Sequence, residues 1–329
     1  MKSVLFLLAI LISICLGCGQ EKSNQERRKV RIAVIPKSTN HVFWRSVHAG
    51  AAKAAHELDI SIDWQGPPKE TDRQQQVSIV QNFISRNMDA IVLAPSDSRS
   101  MVKVVRDAGR AKIPVVIFDS GLDSDDYISF VATDNYKGGQ LCAERLVAIL
   151  EGKKVIVLRH NEGSASTMKR EQGFLDRVQE LMPDVELIST NQYGGASVEK
   201  GLQIAQNLLN RFSEIDGIFC PSEPTAQAML RALQIAGKAK QVKFVGFDAN
   251  ADLVEGLKNG EIHGLAVQDP FKMGYLAVNT AHQHVKNKTV DKRIDTGVYM
   301  ITSDNMEQEE MKFLLSPPVE KWLDQYNEQ

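Results

Sequence analysis

Aromatic side chains are scarce in this chain of 329 residues, at 6%, and so is net charge. Lys and Arg number 39 against 41 Asp and Glu, a formal charge of −2, and the only basic cluster is Arg27-Arg28-Lys29. Nucleic-acid binding needs a positive field to meet the phosphates, so DNA and RNA are not expected as partners. The four cysteines show no Cys-x-x-Cys and no Cys/His spacing of a zinc site. A Gly-x-Ser-x-Gly elbow, a Walker loop, a Gly-x-Gly-x-x-Gly after the first strand and the His-x-x-x-His and His-Glu-x-x-His pairs are all missing. His282 and His284 lie two apart on a helical stretch and so face different directions. No metal, no cofactor and no enzymatic activity are expected.

What is present is a globular composition, 43% hydrophobic and 24% charged. At about 150 residues per domain the length allows two domains, each able to bury its own core. The N-terminus departs from this average: Met1-Lys2-Ser3 precedes an apolar run at 4–16 that ends in Gly17-Cys18. As a helix such a run spans about 20 Å, short of a hydrocarbon core of about 30 Å, so 1–17 is predicted to be a secretion signal. Leu16-Gly17-Cys18 resembles the bacterial lipobox, with Cys15 where that motif usually has Leu. The resemblance implies cleavage before Cys18, a lipidated thiol and a membrane anchor, with the polar stretch 18–29 as a tether. Cys142 and Cys220 sit among apolar residues and are expected to be buried free thiols.

From residue 30 onward, short β-branched runs alternate with longer amphipathic ones. The runs at 30–35, 60–64, 90–93, 115–118, 128–132, 155–158, 185–189, 217–219, 242–247, 264–267 and 296–301 predict strands. Phe43-Val47-Ala51-Ala54-Ala55-Leu58, Val77-Val80-Phe83-Ile84 and Leu202-Ala205-Leu208-Leu209 predict helices between them. Such alternation, with near-continuous apolar strands, implies an α/β fold of doubly wound parallel sheets covered on both faces. Eleven strands exceed one open sheet of this kind, so two lobes are expected, with the first crossing at 130–135 and a hinged cleft between them.

Ligands of doubly wound sheets bind beyond the carboxyl ends of the strands. Polar residues recur there: Lys37 and His41, Asp119-Ser120, Arg159-His160-Asn161-Glu162 leading to Arg170, Pro221-Ser222-Glu223, Asp248 and Gln268-Asp269. Carboxylates accept hydroxyl protons, Arg and Lys donate, and amides do both, which suits a polyhydroxylated solute. Phe43 and Trp44 offer flat faces to a sugar ring. Each residue also has a plainer reading: Asp119 and Asp248 as turn formers, Arg170 as a solvated helix charge, Phe43 and Trp44 as core, Lys37 as a loop charge.

These residues resemble the periplasmic sugar-binding proteins of the ribose/galactose type, which serve ABC importers. The resemblance runs along the mature chain through Asn40 to Trp44 with Ala49-Gly50-Ala51, Ala94-Pro95, Ile113-Pro114-Val115-Val116-Ile117-Phe118-Asp119, Val131-Ala132-Thr133-Asp134-Asn135 with Gly138-Gly139, Arg170 ahead of Phe174, Leu230-Arg231-Ala232-Leu233, Val245-Gly246-Phe247-Asp248 and Gln268. It implies a two-lobed, monomeric binding protein that closes on a monosaccharide or polyol and presents it to a permease. Phe43 and Trp44 would flank the sugar, and Asp119, Arg170, Asp248 and Gln268 would bond its hydroxyls. Thr133, Asp134, Asp269 and Asp295 would mark the hinge, giving a first lobe of 30–133 plus 269–295 and a second of 134–268 plus 296–329, the end of the chain being a strap packed by Phe313, Leu314 and Trp322.

Several positions depart from the ribose pattern. Ser120 follows Asp119 where ribose binders have arginine, His41 and Ser222 align with asparagines, and a second-lobe aromatic aligns near Ala196, close to Tyr193. Ile35-Pro36-Lys37, Gly66-Pro67 and Asp119-Ser120 look like the rhamnose-type and furanosyl-signal receptors, which implies that Lys37 contacts ligand in place of the missing arginine. The same fold also serves receptors coupled to a chemoreceptor or sensor kinase, and that role stays open. A sugar-responsive repressor core is disfavoured, because the N-terminus carries a signal sequence in place of a helix-turn-helix.

Overall fold

The computed structural model describes residues 28–39 and 41–327. The expected signal at 1–17, Cys18, most of the 18–29 tether and Asn40 lie outside the described residues.

The chain alternates β1 (Arg31–Ile35), α1 (Val42–Leu58), β2 (Ser61–Trp64), α2 (Arg73–Ser85), β3 (Ala90–Leu93), α3 (Val102–Arg110), β4 (Val115–Phe118) and β5 (Ser129–Ala132). The alternation resumes with α4 (Asn135–Ile149), β6 (Lys154–Arg159), α5 (Ala165–Leu181), β7 (Glu186–Tyr193), α6 (Val198–Arg211), β8 (Gly217–Phe219), α7 (Glu223–Ile235), β9 (Lys243–Phe247), α8 (Ala251–Lys258) and β10 (Gly264–Gln268). After α9 (Pro270–Val285) come β11 (Arg293–Asp295), β12 (Val298–Ile301), α10 (Glu309–Leu315) and α11 (Val319–Asn327).

The strands form two six-stranded sheets, ordered β11-β5-β4-β3-β1-β2 and β12-β10-β9-β8-β6-β7. Every neighbouring pair is parallel except β10 with β12. Successive strand residues are apolar because helices cover both faces. In the first sheet Val34, Val92 and Val116 face one cluster, and Ile35, Leu93 and Ile117 the other. In the second sheet Ile156, Ile218 and Phe244 face one cluster, and Val157, Phe219 and Val245 the other. The result is the doubly wound α/β fold in two lobes. Cys142 and Cys220 are buried free thiols.

The late strand differs from its prediction. In place of one strand at 296–301, the chain adds β11 to the first sheet and β12 to the second. Arg293, Ile294 and Asp295 carry no apolar run, and a side chain helps to hold this edge. Arg293 Nη1 donates to the Ala132 carbonyl at 2.7 Å and Nη2 to that of Thr133 at 3.0 Å. β7 runs on to Tyr193, past the predicted end at 189, with irregular register against β6.

One close helix crossing recurs in each lobe. A Cβ on Gly50 of α1 would lie 1.9 Å from the Phe271 carbonyl oxygen, and one on Gly274 of α9 would lie 2.0 Å from that of Val47. In the second lobe a Cβ on Gly139 of α4 would meet the Arg170 carbonyl at 2.0 Å, and one on Gly173 of α5 that of Tyr136 at 2.1 Å. Only glycine lets the backbones come this near. The crossings seat α1 and α5, the helices that carry Trp44 and Arg170.

The chain passes between the sheets three times, at 133–134, at Asp269 and at 296–297. Thr133 Oγ1 lies 3.2 Å from Thr296 Oγ1 and donates to the Gly297 carbonyl at 3.0 Å. Asp295 Oδ1 accepts from the amides of Asp134 and Gly297 at 3.2 and 3.0 Å, while Asp134 and Asp269 cap α4 and α9. The C-terminal segment makes a further bridge, contrary to the expectation of a strap on the second lobe. Met311, Leu314 and Leu315 of α10 pack on the second-lobe core, but α11 lies along α1 of the first lobe. Trp322 and Tyr326, four apart and so on one helix face, meet His56 and His48 of α1, and the Tyr326 hydroxyl donates to the Ile62 carbonyl at 2.8 Å.

Candidate functional site

Strand ends of both lobes open on one cavity, and all nine residues nominated from sequence line it. Lys37, His41, Phe43, Trp44 and Asp119 come from the first lobe; Arg170, Ser222, Asp248 and Gln268 come from the second. The two aspartates hold equivalent places. Asp119 follows β4 with φ 59°, and Asp248 follows β9 with φ 66°, a left-handed conformation that Asp tolerates better than most residues. Each amide still bonds to its own sheet, Asp119 to the Val131 carbonyl at 3.0 Å and Asp248 to that of Ala266 at 2.8 Å. The left-handed residue thus turns its carboxylate off the strand line and into the cavity, so a turn-forming role and a place in the cavity are compatible.

Arg170, 2% exposed, is fixed inside the second lobe. Its Nε donates to Asn135 Oδ1 at 2.8 Å and its Nη1 to the Pro221 carbonyl at 3.0 Å and Asp248 Oδ2 at 3.4 Å, with the guanidinium 3.9 Å over the Phe247 ring. Gln268 Nε2 donates to Asp248 Oδ1 at 2.7 Å, while Gln268 Oε1 has no donor. Burial pushes the Asp248 carboxyl up, against the Arg170 charge and the Gln268 bond.

The first-lobe groups find partners both in their own lobe and across the cleft. Lys37 Nζ lies 2.8 Å from Asp119 Oδ2, off the line of a hydrogen bond, and donates to Ser166 and Ser164 at 3.0 and 3.3 Å. The resemblance implies that Lys37 donates to ligand; here its ammonium is engaged with Asp119 of its own lobe and with two serines of the opposite one, so a ligand that reaches it must replace those serines. His41 Nε2 lies 3.1 Å from the Ala196 carbonyl, and Nδ1 lies 3.6 Å from Glu223 Oε2. The Glu223 contact raises the His41 pKa against the effect of burial.

Trp44 belongs to the first-lobe core, meeting Phe43 edge-on at 5.0 Å and Phe118 at 6.1 Å, and walls the cavity as well. Among the described residues no Phe, Tyr or Trp of the second lobe lines it. Tyr193 pairs with Arg159 at 3.3 Å, and Ala196 contributes only its carbonyl.

Glu70, His160 and Glu223 also line the cavity but were not nominated. Trp44 Nε1 donates to Glu70 Oε1 at 3.2 Å, and His160 Nε2 lies 3.2 Å from Glu70 Oε2. Burial opposes ionisation of Glu70, yet the His160 contact and the Lys37 and His41 charges hold its carboxyl well below the usual range. His160 follows β6 directly and stands among the strand-end residues read from the sequence, whereas Glu70 lies well beyond the end of β2 in a polar loop that the strand-end rule does not reach. The room left between these side chains is about 40 Å³, enough for two or three waters at roughly 15 Å³ each.

A polar cavity at the carboxyl ends of two parallel sheets, entered by parting two lobes, defines a solute-binding protein. The chain belongs to the periplasmic binding protein domain family, whose model matches residues 32–289. It is similar to the ribose import binding protein of Salmonella typhimurium, at 29% identity over 298 residues, covering 89% of this chain and 97% of that one. Among solved structures, it is similar to a carbohydrate transporter solute binding protein from Agrobacterium radiobacter in complex with D-arabinose. The TM-score is 0.85 and the identity 32%, with 88% of this chain and 99% of that one covered. An ABC transporter solute binding protein from Agrobacterium vitis with bound D-fucose gives a TM-score of 0.83 at 36% identity, covering 87% and 99%. The chain is accordingly an extracytoplasmic solute-binding protein and not an enzyme.

Proposed function

We propose that the chain captures a monosaccharide or related polyol in this cavity and delivers it to an ABC import permease, as a monomer held to a membrane by lipid on Cys18. One observation carries the ligand class: Asp119 Oδ2 and Gln268 Oε1 are buried acceptors without an aligned donor, beside Asp248 and the fixed Arg170. Vicinal hydroxyls supply the missing hydrogens and accept from Arg170 in return. The D-arabinose and D-fucose named for the two solved relatives are ligands of this kind. Thr133, Asp134, Asp269 and Asp295 serve as the hinge, and ligand raises the closed population by touching both lobes at once. The anchor is supported by Gly17-Cys18 at the end of the apolar run.

The test is a thermal-shift screen of the full chain against pentoses, hexoses, deoxysugars and polyols, since a ligand that binds only the folded state raises the midpoint. A shift lost in Arg170→Ala and Asp248→Ala is the expected result. No shift with any of them would overturn the proposal. For the anchor, Cys18→Ala is expected to move the protein from the membrane fraction to the soluble one.

A further inference from the structure

Capture of a sugar by Asp119, Arg170, Asp248 and Gln268 leaves two pairs of cavity residues that meet across the cleft, His41 with Glu223 at 3.6 Å and Glu70 with His160 at 3.2 Å, and the second is the closer and the more buried. Glu70, in the loop after β2, and His160, at the end of β6, meet across the cleft with their side chains 12% and 3% exposed. Neither is free to swing. The second oxygen of Glu70 accepts from the Trp44 indole at 3.2 Å. The imidazole is held at Nδ1 by Ser222 Oγ at 3.0 Å, which in turn lies 2.9 Å from Thr225 Oγ1, and the His160 amide donates to Glu171 Oε1 at 3.1 Å. Moving either side chain would leave a buried charge or donor without its partner, which is costly.

We infer that Glu70 and His160 form an end wall that limits ligand length, making the site selective for sugars of five carbons or fewer over hexoses. The inference rests on the sugar-binding reading above and specifies its substrate. With the wall in place the lobes shut around about 40 Å³. A pentose ring is admitted when Lys37 keeps its Asp119 partner at 2.8 Å and gives up Ser164 and Ser166, because those are bonds to hydroxyls, which sugar hydroxyls reproduce. An additional hydroxymethyl group finds no such exchangeable partner at the wall. It can enter only by separating a carboxylate from an imidazole that other bonds hold in place.

Titration calorimetry of the full chain with D-ribose, D-arabinose, D-allose and D-galactose tests this. The better pentose is expected to bind at least about tenfold more tightly than the better hexose, the lower end of what one carbon of misfit produces. His160→Gly and Glu70→Ala cut the wall from opposite lobes, and each is expected to shrink that ratio about fivefold or more by raising hexose affinity. Glu70→Gln preserves the acceptor for Trp44 and most of the wall's volume, and keeps the ratio within about twofold. A wild-type protein that takes a hexose as tightly as a pentose overturns the inference alone. So does an unchanged ratio in whichever wall variant melts cooperatively. Binding of none of the four sugars by the wild type overturns the capture reading, and the inference with it.

Discussion

Each lobe has a six-stranded sheet, a glycine-paired helix crossing and an aspartate at positive φ beyond its fourth strand, yet the two arm the cleft differently. The second lobe bonds its groups internally, Arg170 to Asn135, Pro221 and Asp248, and Gln268 to Asp248. In the first lobe Lys37, His41 and Glu70 bond to Ser166, Ala196 and His160 on the other side. The second lobe's groups are therefore fixed within that lobe, whereas those of the first, although Lys37 pairs with Asp119 and Glu70 with Trp44, take their remaining partners from across the cleft. Preorganised groups lose less on binding, so the proposed sugar is expected to dock first on the second lobe and then to be covered by Trp44 and Lys37.

Four measurements sharpen or break that contrast. The largest effect belongs to Arg170→Ala, which leaves Asp248 buried without its cation and is expected to weaken sugar binding by about a hundredfold or more. Lys37→Ala removes a group that has its Asp119 ion pair within its own lobe and gains its serine bonds across the cleft, and is expected to cost about tenfold. Calorimetry giving the reverse order would break the contrast between an organised and a completed lobe.

Next come the glycine crossings, where the lobes are expected to behave alike. Gly139→Ala and Gly274→Ala each force a methyl group against a carbonyl oxygen, at roughly 3 kcal/mol. Each is expected to lower the melting midpoint by roughly 6 °C, read by calorimetry, and a silent variant would show that lobe's helices free to separate.

The lobes then part in their response to pH. Burial, helped by the Arg45 charge, pushes His48 in the first lobe down to about 4 from 6.5, so its neutral form favours folding. First-lobe stability is therefore lost as pH falls from 6.5 through 4. Burial pushes Glu171 in the second lobe up to about 7 from 4.5, so its protonated form favours folding. Second-lobe stability is lost as pH rises from 4.5 through 7. Amide-exchange protection, corrected for intrinsic rates, is expected to rise with pH in α1 and to fall in α5 between pH 5 and 6.5. His48→Gln and Glu171→Gln should each flatten only their own lobe's slope. The smallest effect is expected from lengthening residues 316–318 by a few Gly and Ser, which should widen the spread of lobe separations seen by small-angle scattering without changing the melting midpoint of either lobe.

The sequence made the lobes and most of the cavity readable for a simple reason: apolar strands covered on both faces leave their polar residues only at the ends. Asp119, Asp248 and Gln268 could be found by that rule. What it missed depends on a partner distant in the chain. β11 has one apolar residue, Ile294, to place on the core, and is held in its ladder with β5 also by Arg293, which reaches carbonyls of β5 and of the crossing residue Thr133. Glu70 stands in a polar loop that looks solvated until His160 arrives from the opposite lobe. The Lys37 bonds are of the same kind, since Ser164 and Ser166 come near only when the lobes meet.

The C-terminal bridge has a mechanical consequence. α10 is fastened to one jaw and α11 to the other, and only residues 316–318 run between them. Fully extended, the path from Leu315 to Val319 reaches about 14 Å. Any swing of the jaws that carries those two points further apart must peel Trp322 and Tyr326 from α1, so the gape of this molecule is set by the length of a three-residue cord, one of them being Pro317 and another Pro318.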